Sequence, residues 1–253
     1  MKRAKSEQLI TTDTTSLERI YPDQMQQSNG ADEKKTLQLH IERYEYAGRM
    51  LSPGIVADVA CGSGYGSHLL ATQFDQQVAK IIALDKSEEA IAYAKTRYNN
   101  PKINFAVSDV MANYVEKPNT IISLETIEHL ENPQQFILHW AMQLQPGGRF
   151  IASVPVTPSV DANPFHYQDF TAASFKSIFL KIGLQEIDSF IQKQRYNPIH
   201  LIFKRKTAGH RSIRRNLIGY YFKNPGKFFL RIRSVLKDGF TNKYLVAVFE
   251  KPE

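Results

Sequence analysis

The stretch VADVACGSGYGSHLLA, from Val56 to Ala71, constrains the possible folds more than any other part of the sequence. A short apolar run interrupted by Asp58 leads into three glycines at alternate positions, Gly62, Gly64 and Gly66. Glycine accepts positive φ and lets the backbone approach a ligand closely. The start of a following helix adds free N–H groups and a positive dipole end. The pattern therefore predicts a buried strand, a ligand-facing turn and a helix in direct succession.

The glycine loop alone does not identify its ligand, because dinucleotide and phosphate loops look similar. The third glycine is Gly66, whereas the last glycine of a G-x-G-x-x-G loop would fall at Ser67. The absence of a GK[ST] sequence excludes a nucleoside-triphosphate P-loop. Asp58 would be unfavourable beside a pyrophosphate and favourable beside a cation. A loop that binds no ligand stays open as an alternative.

The rest of the chain alternates between strand patterns and helix patterns. This alternation predicts an α/β fold: a Rossmann-like, seven-stranded, mostly parallel sheet with helices on both faces. Ligands of such sheets bind beyond the carboxyl ends of the strands. We expect a polar N-terminal arm over 1–35 and one domain over 36–250, with a basic helical insertion at about 197–242 before the last strand. The predicted strands are Ile55–Val59, Lys80–Leu84, Ile103–Val107, Asn119–Leu124, Phe150–Val154, Leu184–Gln192 and Tyr244–Glu250.

Two more acidic residues follow the second and third predicted strands. Asp85 is placed to accept hydrogen bonds from ribose hydroxyls, and Asp109 from an adenine amino group. Together with Asp58 and the amide-rich turn, they suit a ligand with a carboxylate, an ammonium, a sulfonium, a ribose and an adenine. S-adenosylmethionine carries all five groups. For each acid separately, a solvated loop position or a helix cap is the alternative.

Five segments in this order resemble the motifs of class I S-adenosylmethionine-dependent methyltransferases: VADVACGSGYG, IIALDKSEEAIAYAKTRY, VSDV, ISLETIEHL and LQPGGRFIASVP. The resemblance covers about Tyr44–Gln192 and returns at Lys243–Glu250. ETIEHL and NPFHYQDFT further resemble bacterial small-molecule and sugar methyltransferases of polysaccharide or natural-product pathways. More distantly, they resemble ubiquinone-pathway O-methyltransferases. SLERIYPD resembles the ER-x-x-P arm of the same subgroup.

This resemblance implies cofactor-binding roles for specific positions. It places Asp58 and the backbone of Ala60, Cys61, Gly62, Gly64, Tyr65 and Gly66 at the methionyl end, and Asp85 with Lys86 at the ribose. It places Ser108, Asp109 and Val110 around the adenine, Leu124 and Glu125 under the sulfonium, and Tyr44 over the cofactor.

Methyl transfer to a hydroxyl group also calls for a general base with a pKa near the working pH, and histidine is the usual choice. His166 and His129 are the candidates, with Glu128 beside them, because both histidines follow strand ends. The alternatives are a loop-packing role for His166 and a backbone-bonded or Glu128-bonded role for His129. Glu128, His129, His166 and Asp169 are also a conceivable set of metal ligands. Their spacing is not a ligand motif, so no metal is predicted.

Charge is concentrated in one segment of the chain. Phe203–Lys237 holds eleven Lys or Arg and no Asp or Glu, whereas the net charge is +7, so the remainder sums to −4. Asn224-Pro225-Gly226 divides two predicted amphipathic helices there. The segment is either a helical cap on the domain or a surface for an anionic membrane or lipid-linked substrate. A homodimer contact is a further alternative, and nucleic acid is ranked last because no RNA-binding signature is present.

The sequence thus predicts an enzyme that methylates a small-molecule or glycosidic acceptor, with oxygen as the expected atom and S-adenosylhomocysteine as the product. A single cysteine, Cys61, and the lack of a signal peptide or an apolar run of ~20 residues favour the cytoplasm, with peripheral membrane contact as an extension. The alternatives are a methyltransferase of RNA or protein and a non-catalytic scaffold that binds the cofactor. LETI at 124–127 replaces the N-P-P-[YFW] sequence of nucleic-acid amino methylation.

Overall fold

Seven strands form one sheet in a computed structural model that describes residues 19–27, 31–112, 116–195 and 216–253. The strand order is β3-β2-β1-β4-β5-β7-β6. Only β7 is antiparallel to its neighbours, β5 and β6; all other pairs are parallel. The predicted fold class is confirmed. The strands are β1 Gly54–Val59, β2 Val78–Asp85, β3 Ile103–Val107, β4 Thr120–Leu124, β5 Arg149–Pro155, β6 Gln185–Arg195 and β7 Thr241–Glu250.

Among the described residues, eight α-helices accompany the strands, and side-chain caps define the starts of several. Ser87 accepts a hydrogen bond from the third residue beyond it, and so do Asn132 and Thr171. Within the described residues, no helix combines the length and apolar character that crossing a membrane requires. The helices are α1 Pro22–Gln27, α2 Ala31–Arg49, α3 Tyr65–Gln73, α4 Glu88–Arg97, α5 Pro133–Gln143, α6 Ala172–Lys181, α7 Leu217–Lys223 and α8 Pro225–Asp238.

The core has two layers, one on each face of the sheet. Successive strand residues point to opposite faces, so Val56 packs in one layer and Ala57 in the other. The layer with Val56 also contains Leu70 of α3 and Ile91 of α4. The layer with Ala57 contains Trp140 of α5. Because helices cover both faces, the ligand-accessible part of the sheet is its edge at the strand ends.

The N-terminal arm is more regular than the sequence suggested. The sequence analysis predicted only a polar arm over 1–35, whereas the structure has α1 within that range and α2 already begins at Ala31. Pro22 occupies the first helical position of α1 and Asp23 lies in its first turn, both favourable placements. Asp23 also accepts hydrogen bonds from Tyr93 and Arg97 of α4. Residues 1–18 of the arm lie outside the described residues.

The described part of the basic insertion consists of α7 and α8, and residues 196–215 lie outside that part. Arg231 of α8 donates to Asp161 through Nε at 2.8 Å and Nη2 at 2.6 Å. The Tyr221 hydroxyl of α7 donates to the same carboxylate at 2.6 Å. Asp161 is 1% exposed and lies in the loop after β5. The insertion is therefore tied to that loop by a buried charge.

Removing this charge tests the tie. Asp161→Ala removes the carboxylate that Arg231 and Tyr221 share, although Arg231 keeps its hydrogen bond to the Pro158 carbonyl. We therefore expect a loss of about 2–3 kcal/mol in the free energy of unfolding. The expected loss is below the usual range for a broken buried ion pair. The Arg231 side chain is 26% exposed, so water can partly replace the lost carboxylate. Urea denaturation measures the change. Lys80→Ala, which breaks a surface pair with Glu116, should cost less than about 1 kcal/mol; equal losses would contradict the assignment.

Candidate active site

The site is expected where the strand order reverses. β1 and β4 are adjacent and parallel, and the chain continues from them to opposite sides of the sheet. Among the described residues, Ala60 with φ 64° and Glu125 with φ 52° are the non-glycine residues in the left-handed region. Each directly follows one of these two strands. Such conformations cost about 1–2 kcal/mol and concentrate at functional sites.

The glycines of the loop after β1 serve two different needs. Gly62 has φ 58°, and a Cβ added there would meet nothing within 4 Å, so the loop faces open space at this point. At Gly64, with φ 81°, a Cβ would lie 2.6 Å from Phe105, and at Gly66 it would overlap the ring of Tyr44. Gly64 is also the N-cap of α3 and provides no side-chain hydrogen bond. The N-cap of α3 thus offers no side-chain acceptor to the first-turn amides, and a helix start of this kind suits a carboxylate.

Asp58 lies beneath this loop and is 1% exposed. Its carboxylate accepts hydrogen bonds from Ser67 Oγ at 2.6 Å and from the Tyr44 hydroxyl at 3.2 Å. Burial raises the pKa of Asp58 to about 6, the two hydrogen bonds oppose that shift, and the negative charge of Asp85 adds to it. A cation bound beside Asp58 would reverse this penalty. The arrangement fits the ammonium group of a methionyl ligand.

Asp85 connects three segments at the end of β2. It accepts hydrogen bonds from the backbone N–H groups of Gly62 and Ser87, each at 2.9 Å. Arg19 Nη2 also lies 2.9 Å from its carboxylate, and Ser63 Oγ donates to the Ile20 carbonyl. Residues 19–20 therefore pack against the loop. A ligand hydroxyl that bonded Asp85 would share its carboxylate with Arg19 or displace Arg19. The ER-x-x-P resemblance of SLERIYPD was the only sequence signal for this contact.

The end of β3 is fixed to its neighbours by backbone contacts. Ser108 N–H donates to the Asp85 carbonyl at 2.9 Å. The Val110 carbonyl accepts from Trp140 Nε1 at 2.7 Å. Asp109 lies between them with an exposed side chain. The structure thus presents Asp109 at the strand end where the sequence analysis expected an adenine contact.

Of three further predicted cofactor-binding positions, one is exposed to solvent and two pack inside the domain. Lys86 is exposed beside Asp85. Tyr65 packs edge-on against Tyr44 with ring centroids 5.4 Å apart. Cys61 is buried, and burial raises the pKa of its thiol, which keeps it neutral. A buried, neutral thiol is compatible with the backbone role that the sequence analysis expected for Cys61, which stays a prediction.

Glu125 is held in place by partners that sequence reasoning missed. Ser153 Oγ donates to its carboxylate at 2.6 Å, and Arg43 Nη1 lies 3.7 Å away. Arg43 is 2% exposed, and its guanidinium lies over the Tyr244 ring at 4.7 Å from the centroid. Leu124, the last residue of β4, precedes Glu125 directly. The strained backbone at the end of β4 is thus fixed by a hydroxyl and a buried cation.

Two predicted catalytic histidines come together beyond β4 and β5. Glu128 and His129 lie in a 3-10 turn at Ile127–His129, and His166 lies in the loop after β5. The two imidazole rings are 4.6 Å apart and nearly perpendicular. His129 Nδ1 lies 3.1 Å from the Phe165 carbonyl, and His166 Nδ1 lies 2.7 Å from Ser159 Oγ. We call Glu128, His129 and His166 the histidine cluster.

The surroundings of His166 differ from those of an efficient base. Burial, the largest cause, and the neighbouring His129 together lower the pKa of His166 to about 3, while Asp169 acts in the opposite direction. A base should instead have a pKa near the working pH. Asp169, the fourth conceivable metal ligand, is separate from the cluster. It accepts hydrogen bonds from Lys227 Nζ and from the Ser159 N–H.

Comparisons with known proteins agree with this geometry. Residues 57–152 match the family described as "Methyltransferase domain". A probable S-adenosylmethionine-dependent methyltransferase of Mycolicibacterium smegmatis is 27% identical over 171 residues, 63% of each chain. The ubiquinone biosynthesis O-methyltransferase of Rickettsia conorii is 36% identical over 129 residues, 49% of this chain and 43% of that protein. The chain thus spans less than two thirds of either relative.

Solved structures show the same fold. A methyltransferase-like protein of Bacillus halodurans aligns with a TM-score of 0.64 at 14% identity, covering 84% of this chain and 99% of that one. Fold, strand-end residues and matched region together define a methyltransferase domain. The matched region and the named relatives support the predicted family, the class I S-adenosylmethionine-dependent methyltransferases.

Asp58→Asn tests whether the buried carboxylate is kept for ligand binding. The pKa of Asp58 is raised from 3.8 to about 6, which means that the ionised carboxylate destabilises the ligand-free fold by roughly 3 kcal/mol. The protonated form is favoured in the folded state, so this penalty grows as pH rises from about 4 through 6. We expect Asp58→Asn to be more stable than wild type at pH 8 by roughly 1–3 kcal/mol, with little difference at pH 4.

Denaturation in urea at both pH values measures this effect. Glu131→Gln, which neutralises an exposed acid, serves as the control and should change stability little. An Asp58→Asn variant that is less stable than wild type at pH 8 would refute the reasoning.

Proposed function

We propose that the protein transfers a methyl group from S-adenosylmethionine to a hydroxyl group of a small-molecule or sugar acceptor. The buried Asp58 carboxylate carries this proposal. Its hydrogen-bond partners in the described chain are the hydroxyls of Tyr44 and Ser67, and burial opposes its charge. It lies beside the start of α3, which has no side-chain cap. The start of α3 favours a carboxylate, and the neighbouring Asp58 favours a cation. Together the two positions suit the carboxylate and the ammonium of a methionyl group.

The other parts of the cofactor are assigned to the neighbouring strand ends. Asp85 would accept from the ribose, and Asp109 with Val110 would frame the adenine. Leu124 and Glu125 lie at the end of β4, where the sulfonium would be placed. When bound, S-adenosylmethionine supplies a methyl group that an acceptor oxygen displaces in line, while the broken S–C electron pair stays on sulfur.

The histidine cluster marks the acceptor side of the site. It lies beyond β4 and β5, next to the proposed sulfonium position, and it carries the polar groups that a hydroxyl acceptor needs. The Rickettsia relative is named as an O-methyltransferase, which supports oxygen as the acceptor atom. RNA or protein substrates and a non-catalytic scaffold are the alternatives.

Calorimetric titration with S-adenosylmethionine, S-adenosylhomocysteine and NAD tests the cofactor assignment. We expect both adenosyl ligands to bind and NAD not to bind. Asp85→Ala should weaken binding at least about tenfold, since a hydrogen bond to a charged group contributes about 1.5–3 kcal/mol. Arg19→Ala is the control, because it breaks the Arg19–Asp85 pair but keeps the Asp85 carboxylate. Unchanged affinity in Asp85→Ala would remove the ribose assignment.

Turnover with a panel of hydroxylated acceptors then separates enzyme from scaffold. His166→Ala should lower turnover far more than cofactor affinity. Full activity in this variant would exclude a role for His166. Tight cofactor binding without turnover on any acceptor would favour the scaffold alternative.

We propose in addition that α7 and α8 contact an anionic membrane surface. Several large apolar side chains on these helices are exposed in the described chain, including Phe222 at 85% and Leu236 at 83%. Lys223, Arg233 and Lys237 are exposed beside them. Exposed apolar groups combined with basic residues are typical of helices that bind in the plane of an anionic interface.

Cosedimentation with phosphatidylglycerol-containing vesicles tests this surface. The double variant Phe222→Ser/Leu236→Ser should reduce vesicle affinity at least about tenfold, because burial of such a side chain contributes about 1.5–3 kcal/mol. Met142→Ser, at an exposed site on α5, is the matched control. Lack of vesicle binding would refute the proposal. A dimer that dissociates in the double variant would assign the same face to a second copy of the chain.

A further inference from the structure

We propose that the histidine cluster binds one divalent transition-metal ion. Each of Glu128, His129 and His166 offers one ligand atom, and these atoms all lie within 4.8 Å of one another. Glu128 is 1% exposed, and both histidines are partly buried. A buried carboxylate converging with two imidazoles is a donor set that transition metals bind in proteins.

The fold holds the two parts of the cluster together. β4 and β5 are paired in parallel, with Leu124 opposite Ser153, so the segments that follow them leave the same edge of the sheet. The loop carrying His166 is then fixed on both sides of this residue. The Tyr167 N–H donates to the Glu128 carbonyl at 2.9 Å, and the Phe165 carbonyl lies 3.1 Å from His129 Nδ1. The three ligands therefore belong to one connected unit.

Hydrogen bonds to the rings select the nitrogens that face the ion. A carbonyl oxygen only accepts, so His129 Nδ1 must carry the proton that it shares with Phe165, and the lone pair is on Nε2. His166 Nδ1 lies 2.7 Å from Ser159 Oγ, which in turn lies 3.5 Å from an Asp169 carboxylate oxygen. If Ser159 directs its proton to Asp169, His166 Nδ1 is also the donor. Such outer contacts to carbonyl and carboxylate groups are usual for metal-binding histidines.

Geometry and donor type restrict the ion. A tetrahedral Zn²⁺ with bonds of about 2.1 Å needs ligand atoms roughly 3.4 Å apart. The present upper separation of 4.8 Å requires the ligand atoms to approach one another by at most about 1.4 Å on binding. Two imidazoles and one carboxylate favour Zn²⁺, Mn²⁺, Fe²⁺ or Co²⁺ over Mg²⁺ and Ca²⁺, which prefer oxygen ligands. Three protein ligands leave a position for a further ligand.

The role of the ion rests on the proposed function. An acceptor hydroxyl at the remaining position would have its pKa lowered by the positive charge, and its proton would pass to bulk water. The oxygen then forms a C–O bond with the methyl carbon, and the S–C bond breaks with its electron pair kept by sulfur. The imidazoles would act as ligands, which does not require His166 to have a pKa near the working pH.

Titration of untagged, chelator-treated full-length protein with Co²⁺ tests the site. The d–d absorption of bound Co²⁺ reports ligand geometry, and we expect one ion per chain and displacement by Zn²⁺ but not by millimolar Mg²⁺. His129→Ala and His166→Ala should each weaken Co²⁺ binding more than about 100-fold, and Glu128→Gln should weaken it as well. Ser159→Ala, which removes an outer contact, should lower affinity about 10- to 100-fold.

His139→Ala is the matched control, since His139 is partly buried on α5 and bonds the Ala112 carbonyl. It should bind Co²⁺ like wild type. Absence of Co²⁺ binding, binding that survives both histidine variants, or preference for Mg²⁺ would overturn the proposal. Where an alanine variant does not fold, His129→Gln and His166→Gln replace it.

The cofactor titration separates this proposal from the proposed function. Binding of S-adenosylhomocysteine to chelator-treated protein would support the methyltransferase assignment whether or not Co²⁺ binds. Specific Co²⁺ binding without any binding of adenosyl ligands would support the metal site and refute the proposed function.

Discussion

The buried carboxylate of Asp58 is the constraint on which the arrangement of the site depends. It lies on β1, between the glycine loop and α2, and in the described part of the chain it accepts hydrogen bonds from two hydroxyls, those of Tyr44 and Ser67. Tyr44 can reach it because Gly66 has no side chain. The close contact between α2 and α3 therefore depends on the glycine at position 66. Burial raises the pKa of Asp58 and so disfavours its negative charge, which a bound cation would favour.

At the ends of β2 and β4, single carboxylates likewise bond several parts of the chain. Asp85 bonds the glycine loop, the start of α4 and Arg19 with one carboxylate. Glu125 is held between Ser153 and Arg43. Both acids therefore have defined positions before any ligand binds, and fixed groups need little reorganisation when charge is bound. Among the groups that bond these two acids, Arg19 differs because it precedes α1, outside the sheet. It can therefore compete with a ligand for Asp85.

The sequence was sufficient for the sheet and for the strand-end acids, because these depend on local patterns. Strand periodicity, glycine spacing and the caps at Ser87 and Asn132 are all short-range signals. The contacts that the sequence did not reveal join residues far apart in the chain. Arg43 meets Glu125 only because α2 packs on the sheet, and no spacing encodes that. The pairing of His129 with His166 required β4 and β5 to be neighbours, which alternation alone does not specify.

The basic insertion and the histidine cluster are connected through side-chain contacts. Asp161 and Asp169 lie in the loop that also carries His166, and they bind Arg231 and Lys227 of α8. Asp169 further accepts from the Ser159 N–H, and Ser159 Oγ contacts the His166 ring. A displacement of α8 would therefore be transmitted through two ion pairs to the position of one imidazole. If α8 rests on a surface that presents the acceptor, the same contact would set the geometry of the histidine cluster.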